Sequence, residues 1–215
     1  MLPSRGSERI EAFSDGVFAI AITLLVLEIR VPETEAGGRL LDVLPQIVPS
    51  VIAYATSFIV IGAFWTNHHE TFRFIKRSDT TFLALNVLYL MCIAFIPFSA
   101  ALLARYLGRP GDDTVAMVAY TVVLILCSIA FNGLWWYASA GERLTDESAS
   151  AEAIQRHTRW VRAGLVLSLP AIVLAFVSVP LVIALYAVVF LVYFIPRVGQ
   201  VKAKKHRAER RAGGS

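Results

Sequence analysis

The chain has 215 residues, 57% of them hydrophobic and only 17% charged, with a formal net charge of +4 and a mean hydropathy of +0.64. Soluble domains sit near roughly 45–50% apolar and 25% charged, and a chain this short cannot hide such an excess of apolar surface from water. A water-soluble globular domain is thereby excluded, and lipid is the solvent that fits.

Six apolar runs follow one another, at residues 10–31, 44–70, 79–104, 113–138, 159–178 and 179–196. Each meets the roughly 20 residues a helix needs to cross about 30 Å of hydrocarbon, the last being near the short limit. Only helices and closed barrels satisfy their backbone in lipid. Continuous apolar runs without two-residue alternation choose helices, so the sequence predicts an all-α membrane protein with six transmembrane helices. The first run follows a charged, amphipathic start (Arg5, Glu8, Arg9, Glu11) and is too long for a signal-peptide core, so it reads as a span. Pro45 and Pro49 fall where the second helix begins and a missing N–H costs little. Pro180 marks a tight turn between spans five and six and Pro196 closes the last, whereas Pro97 and Pro170 lie inside spans and are expected to kink them.

Basic residues orient the bundle. With the N-terminus inside, the outer loops hold only Arg30, Arg39, Arg105 and Arg109, and the other 16 of the 20 lysines and arginines are cytoplasmic. The positive-inside rule then puts both termini in the cytoplasm of a multi-pass cell-membrane protein. Residues 1–198 form one transmembrane domain, and 199–215 form a basic cytoplasmic tail expected to be disordered. Its KAKKHRAERR run suits anionic lipid headgroups better than nucleic acid, because it directly follows a span. The two cysteines, Cys92 and Cys127, lie inside apolar runs without CxxC spacing, which argues against a disulfide or thiolate metal site.

The first span carries the most specific pattern: Arg9, Phe13, Ser14 and Asp15, then GVFAIAITLLVLEI. An ionisable group at membrane depth is expensive and faces protein or a water-filled cavity, so Asp15 needs partners. The second span ends Phe64-Trp65-Thr66-Asn67-His68-His69-Glu70 and runs antiparallel to the first, which brings those polar groups within reach of Ser14 and Asp15. A buried polar network of this kind fixes register, because an unsatisfied member is costly. Ile20, Thr23, Leu24 and Leu27 fall on one stripe at i, i+3, i+4 and i+7, continued downward by Phe13 and Gly16. Asp15 points roughly 140° away from Ile20. The stripe could equally be lipid contact or packing, and Thr23 hints at a wet or interhelical surface.

The Arg9-xxx-Phe13-Ser14-Asp15 pattern, the helix that follows it and the FWxxHH segment resemble the transmembrane protein 175 potassium channel family, particularly its bacterial members. The resemblance spans the six-helix layout, and its specific part is about twenty residues of span one plus that segment. It implies a homo-oligomer, a tetramer, around a central pore lined by the first helix of each subunit, with no reentrant filter loop and K+ as the permeant ion. The absence of any TVGYG-like segment agrees. By position, Ile20 matches the narrow hydrophobic constriction, Leu24 and Leu27 further apolar layers, and Thr23 a hydroxyl layer linked to selectivity. Arg9, Ser14 and Asp15 match the structural network, with Trp65, Asn67 and His69 as partners; which of His68 and His69 takes part stays open. Glu28, about 80° from Ile20, is either an acidic outer collar or a solvated helix end.

Other classes fit less well. Adjacent histidines on a helix point about 100° apart, HExxH spacing is absent, and four histidines are few for a metal enzyme. No GxSxG-type nucleophile motif occurs, so no enzyme, metal or cofactor is expected. A secondary transporter would show repeated halves and broken helices, and only Pro97 and Pro170 offer breaks. That class and a proton-conducting membrane protein are the alternatives to a potassium-permeable channel.

Overall fold

The computed structural model describes residues 5–34, 38–146 and 148–188. The predicted tail at 199–215 and the end of the sixth span lie outside these residues. The first helix, α1, covers Arg5–Leu24 and tightens into a 3₁₀ turn over Leu25–Glu28. A short helix α2 (Leu40–Val43) and a 3₁₀ turn (Leu44–Ile47) lead into α3 (Val48–Phe72), which begins on Pro49. Then follow α4 (Thr80–Ala94), α5 (Ile96–Tyr106), α6 (Asp112–Ser139), α7 (Ala151–Val177) and α8 (Val179–Val188). Five segments are long and apolar enough to cross a membrane, and α8 is a shorter apolar sixth.

Five of the six apolar runs of the sequence are thus helical segments of membrane-crossing length and the sixth begins as the helix α8, with refinements at the prolines. The third pass is two helices meeting at Phe95, and Pro97 sits in the first turn of α5, where it needs no intrahelical partner. By contrast α7 continues through Pro170. The turn between the last two passes centres on Ser178, a single extended residue, and Pro180 lies in the first turn of α8. Tyr186 of α8 returns to line a recess with Gly164 and Ser168 of α7, so these two helices form a hairpin.

Half of the apolar window of α6 is buried, against 28% for α1 and 22% for α3 and α7. The core accordingly gathers round α6, with Met117, Tyr120 and Trp135 at 2% exposure or less, facing Tyr89 of α4 and Leu103 of α5. Tyr120 accepts from the Ser57 hydroxyl at 3.0 Å, and Tyr186 donates to Thr121 at 2.9 Å, so these polar groups inside the bundle satisfy each other.

One end of the bundle is tied. The α3–α4 and α6–α7 connections pair at Ile75 and Thr145, and the Phe74 carbonyl accepts from the Asp146 N–H at 2.8 Å. Asp79 caps α4 by accepting from the Phe82 N–H, and its second oxygen accepts from the Tyr137 hydroxyl, both at 2.8 Å. At the same end Thr71 Oγ1 and His157 Nε2 lie 2.7 Å apart, and the His157 ring lies 5.0 Å from that of Phe74.

Candidate functional site

The first helix has two unlike faces. Ile10, Ser14, Phe18, Ala21 and Leu25 recur at three- and four-residue spacing and are all buried. Ser14 is fully buried, and Phe18 and Leu25 are 1% exposed. On the other side Phe13 and Ile20 are each 60% exposed, Leu24 43% and Leu27 71%. Thr23 lies among them, its hydroxyl donating to the Ile20 carbonyl at 2.9 Å while its oxygen keeps acceptor capacity. Apolar exposure of this kind, on a helix whose other face is closely packed, marks a surface made for lipid or for another chain.

Behind α1 lies a relay of hydrogen bonds whose directions are fixed. The Ser14 hydroxyl donates to the Ile10 carbonyl at 2.8 Å, so its oxygen is left to accept. Asn86 Nδ2 donates to it at 3.0 Å, which turns Asn86 Oδ1 toward His68 Nε2, also at 3.0 Å. An amide oxygen only accepts, so His68 carries its proton on Nε2. The imidazole is fully buried, lies 4.5 Å from the Phe72 ring and stacks on Tyr89 at 5.7 Å and 14°. Three elements, α1, α3 and α4, are joined by this one chain of polar groups.

A second layer sits closer to the surface. Trp65 Nε1 donates to Asp15 Oδ1 at 2.9 Å, and His69 Nδ1 lies 2.9 Å from Glu11 Oε1. The Trp65 and His69 rings stack at 5.8 Å and 22°. The two histidines thus divide the work: His68 joins Ser14 through Asn86, and His69 joins α1 through Glu11.

The remaining expected network residues lie elsewhere. Asn67 lines a recess between α3, α6 and α7, with Phe64, Ser128 and Ser168. Arg9 is exposed beneath Phe13 on the aliphatic side, and among the described residues it enters no ion pair. Glu28 ends the 3₁₀ turn and borders a separate recess with Arg30 and Arg105. Sequence reasoning missed Asn86, Tyr89 and Glu11. Asn86 left a usable signal, as the one side-chain amide in the apolar third run. Among the described residues no three His, Cys, Asp or Glu side chains gather into a metal-holding group.

Comparison with known proteins adds an independent line. The family described as endosomal/lysosomal potassium channel TMEM175 matches residues 9–97, a stretch that holds the stripe of α1 and both polar layers. A potassium channel of Streptomyces collinus is 44% identical over 188 residues, covering 87% of this chain and 91% of that protein. One of Chamaesiphon minutus is 43% identical over 192 residues, covering 88% and 93%. A crystal structure of a lysosomal potassium-selective channel TMEM175 homolog from Chamaesiphon minutus superposes with a TM-score of 0.78 at 40% identity, over 88% of this chain and 97% of that one.

Proposed function

We propose, from the premise that this chain belongs to the TMEM175 family of potassium channels, that it is itself a potassium-permeable channel of the cell membrane, with α1 of each subunit lining a shared pore. The family is one of ion channels, not enzymes. The reading rests on one observation: α1 is sewn to its own subunit along one face and leaves an aliphatic stripe uncovered along the other. A monomer has no use for that asymmetry beyond lipid contact, whereas a symmetric homo-oligomer, a tetramer in this reading, brings the stripes together on its axis.

In that assembly Ile20 forms the narrowest ring and holds the pore shut by expelling water, since a short aliphatic constriction is costly for a hydrated ion to enter. Leu24 and Leu27 add apolar layers above it. Thr23 interposes a hydroxyl whose free lone pairs are available to a partly dehydrated cation. Ions pass when the first helices separate or turn the isoleucines aside. Glu28 gathers cations at the outer mouth, and both termini are cytoplasmic. Arg9 and Phe13, exposed at the foot of the stripe, meet neighbouring subunits. The relay through Ser14, Asn86 and His68 and the bond from Trp65 to Asp15 hold the angle at which the stripe is presented.

Replacing Ile20 with Asn tests the reading in liposomes loaded with potassium or sodium. The polar ring should stay wet, so cation flux should rise at least about tenfold, the equivalent of removing some 1.4 kcal/mol of barrier, and the potassium preference should fall. Unchanged flux and unchanged preference would take Ile20 out of the pore. Unitary currents in a planar bilayer separate a channel from a carrier, which would show saturation and exchange instead.

A further inference from the structure

Away from the aliphatic stripe, three chain segments end at the same edge of the bundle: the 3₁₀ turn after α1 at Glu28, α5 at Tyr106, and the 3₁₀ turn that leads into α3 at Ile47. Between them lies a recess of about 550 Å³. Its charged lining is Arg30, Arg105 and Glu28. Among the described residues neither guanidinium has a carboxylate within ion-pair distance, and Glu28 has no basic partner. Two unpaired guanidinium groups beside one unpaired carboxylate, with Gln46 and Ser50 near them and an apolar track along α5, call for a ligand carrying both signs of charge and an apolar portion.

The wall has a direction. Phe98, Leu102 and Arg105 follow at i, i+4 and i+7 along α5 and all border the recess, so an apolar track runs down from the guanidinium. Phe98 is 60% exposed and lies 5.0 Å from Phe95, itself 52% exposed, which extends the track toward the middle of the bundle. From Arg105 to Phe98 is roughly 10 Å of helix, about a third of a hydrocarbon core. Charge at the rim, an apolar track below and Tyr106 at the junction are the arrangement of a membrane–water boundary.

We propose that this recess binds a glycerophospholipid whose headgroup carries a phosphate and a primary ammonium. The phosphate accepts from Arg30 and Arg105, for which guanidinium forks are suited. The ammonium donates to Glu28, and an acyl chain lies along Leu102 and Phe98. Charge complementarity selects this occupant: phosphatidylglycerol would leave Glu28 unpaired, and phosphatidylcholine offers it no N–H donor. A bound ammonium would also neutralise the carboxylate assigned to the outer mouth, so lipid composition would tune the pull on entering cations.

The test weighs lipid, not current, so its failure is distinct from failure of the conduction reading. The full chain is reconstituted in equal parts phosphatidylethanolamine, phosphatidylglycerol and phosphatidylcholine, extracted gently, and its retained lipid identified by native mass spectrometry. Wild type should keep phosphatidylethanolamine preferentially. The double variant Arg30→Gln/Arg105→Gln should lose that retention by about tenfold or more. Glu28→Gln should keep phospholipid but shift toward phosphatidylglycerol. Arg39→Gln removes one arginine charge outside the recess and should change nothing. Should the double variant fail to fold, Arg105→Lys, which keeps charge but not the fork, should retain less than wild type. Equal retention of the three lipids by wild type overturns the assignment, as does full retention by the arginine variants or an equal loss with Arg39→Gln. A neighbouring subunit filling the recess would appear as no retained lipid and would overturn it as well.

Discussion

Asn86 sits between two groups that fix both ends of its amide, because Ser14 has already spent its proton on Ile10 and His68 must then supply one. Replacing it with Leu strips His68 Nε2 and Ser14 of that partner inside the bundle. Leaving buried polar atoms unsatisfied costs about 1–3 kcal/mol, which thermal unfolding in detergent should register as a lower midpoint. Adding His68→Phe should restore part of the loss, since replacing both partners by apolar groups is nearly neutral. A double variant that loses the full sum of the two single losses would mean the two residues are not coupled. The need of Ser14 and Asp15 for partners was legible in the sequence, but who answers depends on how three helices are rotated against each other. His68 could have been told from His69: Ser57, Ile61, His68 and Phe72 follow at i, i+4, i+11 and i+15 and are all buried, which puts His69 about 100° off that face.

Helix ends and connections follow local rules more closely than side-chain pairing does. Runs of apolar residues placed the first four passes to within a few residues, and Pro49, Pro97 and Pro180 fall in first helical turns, because both signals act within a single helix. By contrast α7 begins at Ala151, ahead of the apolar run at 159, because its first turns are polar, and the end of the sixth run lies outside the described residues. The pairing of the α3–α4 and α6–α7 connections was not legible, since Ile75 and Thr145 are 70 positions apart and neither segment has strand periodicity. Asp79 couples these elements by capping α4 and accepting from Tyr137. Asp79→Ala should cost about 1–2 kcal/mol as a lost cap, and Asp79→Asn should cost less, with unfolding midpoints ranking the three proteins. Asp146 gives this end a pH signature. The Ser148 N–H and hydroxyl, and secondarily Lys76, hold its carboxyl below the ordinary value. A depressed carboxyl stabilises the fold above its unfolded value and loses that contribution as pH falls through its folded one. Protease cleavage at this connection should therefore accelerate on acidification, and Ser148→Ala, which removes the hydroxyl donor, should weaken that acid response.

Symmetry makes a demand that no single chain reveals. In a closed ring only residues near the axis meet their own copies, and a disulfide needs Cα atoms within about 7 Å. In a background with Cys92 and Cys127 replaced by Ala, Leu27→Cys should cross-link between subunits under mild oxidation. Val173→Cys, equally exposed at 70% on α7, should not. Cross-linking of both or of neither would displace α1 from the axis. Oligomeric order was invisible to composition and periodicity, because an aliphatic stripe facing lipid and one facing a pore are written with the same residues. The pinning of α1 near Ser14 and Asp15 also has a mechanical meaning. It makes that end a fulcrum, with Ile20 about 9 Å along the lever arm and Leu27 about 20 Å along it. In the proposed pore, any tilt thus displaces Leu27 roughly twice as far as Ile20, so swinging alone flares the outer half and opens the constriction only about half as much.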